Sequence, residues 1–204
     1  MTTRRTRAAA VGVVVLALLL GCAWWVEAGR SAAQVAVTWT PTCTGTELTR
    51  LPRSLVDPDD PRAGDLAIDV RPGFACSVRL RITNTSRWTA HLEAVRVPFA
   101  GRSGGGEMRA EPSPAPPALQ PSPFDDIDAT LPVVRELAPG ESTTVEFRIG
   151  WREDGCNAGG AMWVDQWPAV ELRILARDLE ARSPQRLVLR THDGDHQPPA
   201  REGC

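Results

Sequence analysis

Two imidazoles and two carboxylates fall within five residues at His192-Asp193-Gly194-Asp195-His196. Such a group carries donors for zinc, nickel or copper. It sits in a polar, Pro-bearing tail, however, and a tail lacks the second layer of groups that orients metal ligands. A solvated terminus is expected, and no metal site is assigned. Asp125-Asp126-Ile127-Asp128 and Asp57-Pro58-Asp59-Asp60 concentrate carboxylates. Calcium takes six or more oxygens, and neither run has the Asp-x-Asp-x-Asp-Gly spacing that supplies them. Both read as solvated turns. Met162-Trp163-Val164-Asp165-Gln166-Trp167 offers indole faces on which a glycan or peptide could stack. Core and sheet-edge packing is the favoured reading of these tryptophans. A binding surface, where there is one, is expected at Trp163 and Trp167.

Catalysis needs a nucleophile, a base and a group that orients it. His91 lies on an expected strand, pointing outward, and reads as structural. No Gly-x-Ser-x-Gly elbow and no His-Glu-x-x-His is present. Gly104-Gly105-Gly106 lacks the strand–helix context of a phosphate loop. Asn84-Thr85-Ser86 matches a glycosylation sequon, to which no role is assigned. No catalytic residue and no cofactor is therefore expected. The alternative is a surface hydrolase or metal-dependent enzyme using His91 or the His192/His196 tail. The net charge of -2 is too small to point to nucleic acid. All 23 basic residues are arginines, and Tyr is absent. The arginines are scattered, which fits coding bias from a GC-rich genome better than selection for phosphate recognition.

Five cysteines occur: Cys22, Cys43, Cys76, Cys156 and Cys204. Cys22 lies in an apolar N-terminal run. The other four are widely spaced, unlike the C-x₂₋₄-C pairs of a zinc site. An even number of cysteines in an exported domain reads as two disulfides. Cys43 follows the first expected strand and Cys76 opens the strongest one. Antiparallel neighbours would bring them together, leaving Cys156 for Cys204 at the tip of the tail.

The elements that position these residues begin with a targeting segment. Arg4, Arg5 and Arg7 precede an uncharged run of 19 residues, Ala8 to Val26. About 20 apolar residues span the hydrocarbon of a bilayer, and Trp24 and Trp25 stand where indole prefers the interface. The basic head (1–7) is expected in the cytoplasm and everything after Val26 outside it. Three fates fit: a retained single-span anchor, which is favoured; lipidation at Cys22, since Leu19-Leu20-Gly21-Cys22 resembles the bacterial lipobox; and signal cleavage after Ala33. All three export the rest of the chain.

Residues 27–34 read as a linker, 35–192 as one domain and 193–204 as a polar tail. Val35–Trp39 is expected as a strand ended by Pro41, and residues 50–64 as a surface loop. Leu66–Val70 alternates. Phe74, Cys76, Val78, Leu80 and Ile82 alternate with polar residues, putting one row inward and Arg79 and Arg81 outward. Trp88–Val97 returns, with a bulge between Leu92 and Val95 where the parity changes. Residues 98–123, with three consecutive glycines and six prolines from Pro112 onward, form a long loop holding at most a short strand near 107–110. Further strands are expected at 143–149, 170–176 and 186–190. Residues 152–160 read as a loop, and 178–183 as a polar turn with one helical turn at most. Seven or eight short strands with turns between them suit an all-β, antiparallel two-sheet sandwich behind one N-terminal transmembrane helix.

Two stretches carry a resemblance. Arg81-Ile82-Thr83-Asn84-Thr85-Ser86, within Val78–Val97, resembles the strand–TNTG–strand step of bacterial immunoglobulin-like modules. Leu137-Ala138-Pro139-Gly140-Glu141-Ser142-Thr143-Thr144-Val145 is similar to their L-x-P-G-E-S-x-T-V turn and strand. The matches span about 30 residues, and Ser86 stands where Gly is usual. The resemblance implies an immunoglobulin-like fold and a non-catalytic part in adhesion, spacing or assembly at a cell surface. The whole arrangement also looks like small membrane-anchored proteins of GC-rich Gram-positive bacteria. The expected partners are the membrane and an envelope protein or glycan. An accessory role in a membrane complex is the further alternative.

Overall fold

A computed structural model describes residues 2–51, 64–101, 108–113, 128–152, 160–164 and 167–191. One helix, α1 (Thr2–Ala32), precedes the strands β1 (Val35–Thr44), β2 (Leu48–Arg50), β3 (Leu66–Val70), β4 (Ala75–Asn84), β5 (Ala90–Val97) and β6 (Met108–Pro112). Then come β7 (Ala129–Leu137), β8 (Ser142–Trp151), β9 (Gly160–Val164), β10 (Ala169–Ile174), β11 (Arg177–Arg182) and β12 (Leu187–Thr191). The protein is mostly β, with several antiparallel sheets and one apolar N-terminal helix.

The Pro-free, Ala/Leu/Val-rich start of the chain favours α1, and from Val11 it is long and apolar enough to cross a membrane. Side chains from Val11 to Val26 are all exposed. The helix does not stop there. Residues 27–32, expected as linker, are helical. Ala28, Ser31 and Ala32 share one face at helical spacing and are buried against the β domain.

The first sheet runs β1-β4-β8-β6 and is antiparallel throughout. The period-two pattern decides its faces. Val37, Trp39, Val78, Leu80, Ile82, Phe147 and Ile149 are buried, while Arg79, Arg81 and Arg148 point out. β1 continues through Pro41 to Thr44 instead of ending there. It is an edge strand, where the missing N–H of proline need not break a ladder.

The second sheet, β11-β10-β5-β7, is also antiparallel. The expected bulge is present. Glu93 is skipped in the pairing of β5 with both neighbours, so Leu92 and Val95 both face the core. β11 replaces the expected polar turn and helical turn. Leu175 and Ala176 take φ of 52° and 60°, closing a two-residue hairpin. Such hairpins usually announce themselves with Asn-Gly, which is absent here.

The third sheet, β2-β3-β12-β9, departs from the all-antiparallel expectation: β3 and β12 are parallel. Their pairing joins segments separated by most of the domain, and no local pattern in either strand encodes it. β2 and β9 are short strands without a matching expectation, and each overlaps an expected loop at a single residue, Arg50 and Gly160. Inward residues of all three sheets meet in one core that includes Trp39, Ile68, Leu80, Leu92, Phe147, Trp167 and Leu189.

The registers define two ends. Val35 pairs with Asn84, Ala90 with Leu137, and Ile174 with Arg177, and α1 enters at this end. At the far end Thr44 pairs with Ala75, Val97 with Ala129 and Met108 with Trp151.

Candidate functional site

Among the described residues two constellations of side chains stand out, one at each end. The near one joins α1 to the β domain. Glu27 Oε1 accepts hydrogen bonds from Trp88 Nε1 at 3.1 Å and Arg87 Nε at 3.1 Å, with Arg87 Nη2 at 3.0 Å. One helical turn earlier, Trp24 Nε1 donates to the Leu175 carbonyl at 3.0 Å. Arg177 lies over the Trp25 ring, 3.3 Å from its centroid, and donates to the Trp25 carbonyl at 2.6 Å. Ala28, Ser31 and Ala32 fill the space between these contacts. Only Ala33 and Gln34 separate helix from strand, and Thr85 N donates to the Gln34 carbonyl at 3.1 Å. The β4–β5 turn and the β10–β11 turn thus grip the last two turns of α1.

Behind this junction sits Asn84, fully buried. Its Nδ2 donates to the carbonyls of Trp88 at 2.8 Å and Leu137 at 2.9 Å. Its Oδ1 accepts from Ser86 N at 3.0 Å and Ser86 Oγ at 2.8 Å. Its backbone N–H donates to Glu141 O, and its carbonyl accepts from Gly140 N. One amide side chain therefore satisfies both turns that cross between the first two sheets. A glycan could not be attached to it there.

The far constellation is a hollow of about 690 Å³ between the 73–75 segment, β6 and the end of β8, lined by Arg109, Glu111, Arg148, Trp151 and Arg152 among others. Arg109 pairs with Glu111 at 3.3 Å, and Arg152 donates to the Gly101 carbonyl at 2.6 Å. Gly45 seals the neighbouring rim: at φ +72°, a Cβ there would lie 2.4 Å from the Gly73 carbonyl oxygen. Among the described residues its lining holds three guanidiniums, of Arg109, Arg148 and Arg152, and one carboxylate, of Glu111.

Cys43 and Cys76, directly opposed in the β1–β4 ladder, form the expected disulfide at this end, with Cα atoms 4.0 Å apart. Cys156 and Cys204 lie outside the described residues. So do His192, His196, Asp57, Asp59, Asp60, Asp125, Asp126 and the three consecutive glycines. Asp128 accepts a hydrogen bond from Phe99 N at 3.0 Å. Among the described residues no group of three His, Cys, Asp or Glu side chains could hold a metal. His91 does point outward, with its Nδ1 3.1 Å from Glu136 Oε1, and it lines neither this hollow nor the one between β7 and β8.

Trp167, named as a place for a binding surface but read in the first instance as core packing, is fully buried, in keeping with the core reading. It packs edge-on against Trp39, centroids 4.7 Å apart, and against Phe147 at 5.9 Å. Its indole therefore presents no face to a ligand. Trp163 is on β9, opposite Val188. Cys22 is exposed on α1, with a free thiol. The Glu27 junction was missed in the sequence; the acid directly following the apolar run, with indoles beside it, was the available signal. No family model matches the chain, and no curated protein matches it either.

Proposed function

We propose that the chain is a membrane-anchored, non-catalytic binding or structural module of the cell envelope. Its β domain is held outside the cytoplasm in a fixed pose, and the fold is an immunoglobulin-like sandwich. The observation that carries this reading is the packing of α1 into the domain. Trp24, Glu27, Ala28, Ser31 and Ala32 are parts of the domain's own structure, while Val11 to Val26 expose only apolar, Gly, Cys and Trp side chains. A run of that kind with no protein cover suits hydrocarbon. Cleavage after Ala33 would strip the junction from the fold, so that fate is disfavoured. Lipidation at Cys22 would leave the junction whole and remains the second reading. An envelope glycan or protein is the partner expected at the end away from the helix.

Fractionation with external proteolysis tests the proposal. The full chain should resist alkaline extraction from membranes, and its β domain should be digested by protease added outside spheroplasts. Release by alkali, or protection of the domain until the membrane is lysed, would overturn it. Intact mass separates the two anchored forms: a start at acylated Cys22 selects the lipoprotein.

A further inference from the structure

The β10–β11 turn is an unusual hairpin. Both of its central residues lie in the left-handed region, yet neither is Gly, Asn or Asp. A β-carbon in that region crowds the following carbonyl oxygen, and the usual polar pair would relieve it. Leu175-Ala176 keeps the turn free of polar side chains instead. Ala176 is exposed and Leu175 half-buried. The turn is also pinned at a defined height on α1. Trp24 Nε1 bonds the Leu175 carbonyl, and Arg177 bonds and stacks on Trp25. Trp24 and Trp25 close the apolar run and mark the level at which indoles settle between headgroups and acyl chains.

We propose that the β10–β11 turn is a second membrane contact, seating Leu175-Ala176 in the bilayer interface beside Trp24 and Trp25. This rests on the anchored reading above. Three features agree with it. The exposed side chain of the turn is apolar, as an interface with little water requires. The Leu175 carbonyl, a turn acceptor with no ladder partner, is satisfied by the helix, and an unsatisfied carbonyl is expensive where water is scarce. Arg87, held by Glu27 about one helical turn further from the hydrocarbon, lies at the level of lipid phosphates, roughly 4–5 Å above the indoles. The occupant is thus the lipid interface itself, engaged by an apolar tip with a guanidinium above it.

Depth measurement on the full chain tests this. Variants Leu18→Cys, Ala176→Cys and Glu47→Cys, each made with Cys22→Ala, Cys156→Ala and Cys204→Ala so that Cys43 and Cys76 stay in their disulfide and one thiol is free, are labelled with a small environment-sensitive fluorophore. They are then reconstituted into phosphatidylcholine–phosphatidylglycerol vesicles containing nitroxide lipids. Position 18 reports the span, and position 47 lies past the far end of β1. The expected result is strong quenching at 18 by chain-labelled lipid, and quenching at 176 by headgroup-proximal nitroxide several-fold above that at 47. Quenching at 176 no greater than at 47, with 18 quenched, overturns the second contact and leaves the anchor standing. Absence of quenching at 18 overturns both. Reaction of unlabelled Ala176→Cys with an impermeant maleimide gives an independent readout without a bulky group in the turn. Reaction as fast as that of Glu47→Cys would also overturn the second contact.

Discussion

Asn84 Nδ2 donates to the Leu137 carbonyl at 2.9 Å, closing a contact across 53 positions of sequence. Each residue ends a strand, and the two strands belong to different sheets. The bond therefore ties the turn after β4 to the turn after β7. Asn84→Ala takes the amide from the Leu137 carbonyl and from the Ser86 N–H, while the Trp88 carbonyl keeps its bond from Ser86 Oγ at 3.0 Å. The expected loss is about 3 kcal/mol, since each buried orphan costs roughly 1–3. Asn84→Asp should be worse, because a carboxylate would set oxygen against those same carbonyls. Chemical unfolding followed by near-UV circular dichroism measures both, and a loss within error for Asn84→Ala would refute the pinning role.

Trp167 should behave as core. Trp167→Ala is expected to destabilise the domain by about 3–5 kcal/mol. Trp167→Phe should cost much less. Phe147 and Trp39 would still have an aromatic partner, and the Trp167 Nε1 has no hydrogen-bond partner among the described residues to lose. Equal losses for the two variants would show that ring packing is not what the site contributes.

The Cys43–Cys76 bridge spans a sequence separation of 33. Closing a loop of that size restricts the unfolded chain by roughly 3–4 kcal/mol in the chain-entropy treatment. Cys43→Ser with Cys76→Ser should lower stability by that order without changing the β1–β4 register. Urea midpoints under oxidising and reducing conditions check it. The double variant should lose the part of the redox dependence that belongs to this bridge.

Ala28 is fully buried where α1 meets the domain. Ala28→Leu would add three carbons to a filled gap, with an expected cost of about 1–3 kcal/mol. The strain falls on the junction, so hydrogen exchange should rise at residues 27–34 and 85–88 while the β4–β8 ladder keeps its protection. Uniform loosening of the whole domain would show that helix and sheets melt as one unit.

How much of this was legible in the sequence depends on whether the signal is local. Period-two alternation marked β4 and β8, and the parity change at Leu92–Val95 marked the bulge, because both follow from side chains facing a common core. The Cys43–Cys76 pair was readable once β1 and β4 were taken as antiparallel neighbours. β11 was not, since Leu175-Ala176 carries none of the turn chemistry that announces a two-residue hairpin. The parallel β3–β12 pair was not either, because parallel partners are chosen by distant packing. Core packing, the favoured reading of the tryptophans, holds for Trp167, and its alternative as a binding surface does not. The Glu27 junction escaped because charge after an apolar run ordinarily signals solvent, and its partners Arg87 and Trp88 lie 60 and 61 positions away.

The two-residue step from Ala32 to Val35 has a mechanical meaning. Glu27, Trp24 and Arg177 brace the helix on both sides, and a swivel at the base of the domain would have to break their bonds. A load applied at the far end passes along β1 straight into α1. The Cys43–Cys76 crosslink sits at the loaded end of that path and shares the pull with β4 from the outset. With α1 as the proposed anchor, the height and heading of the domain would follow from its own base.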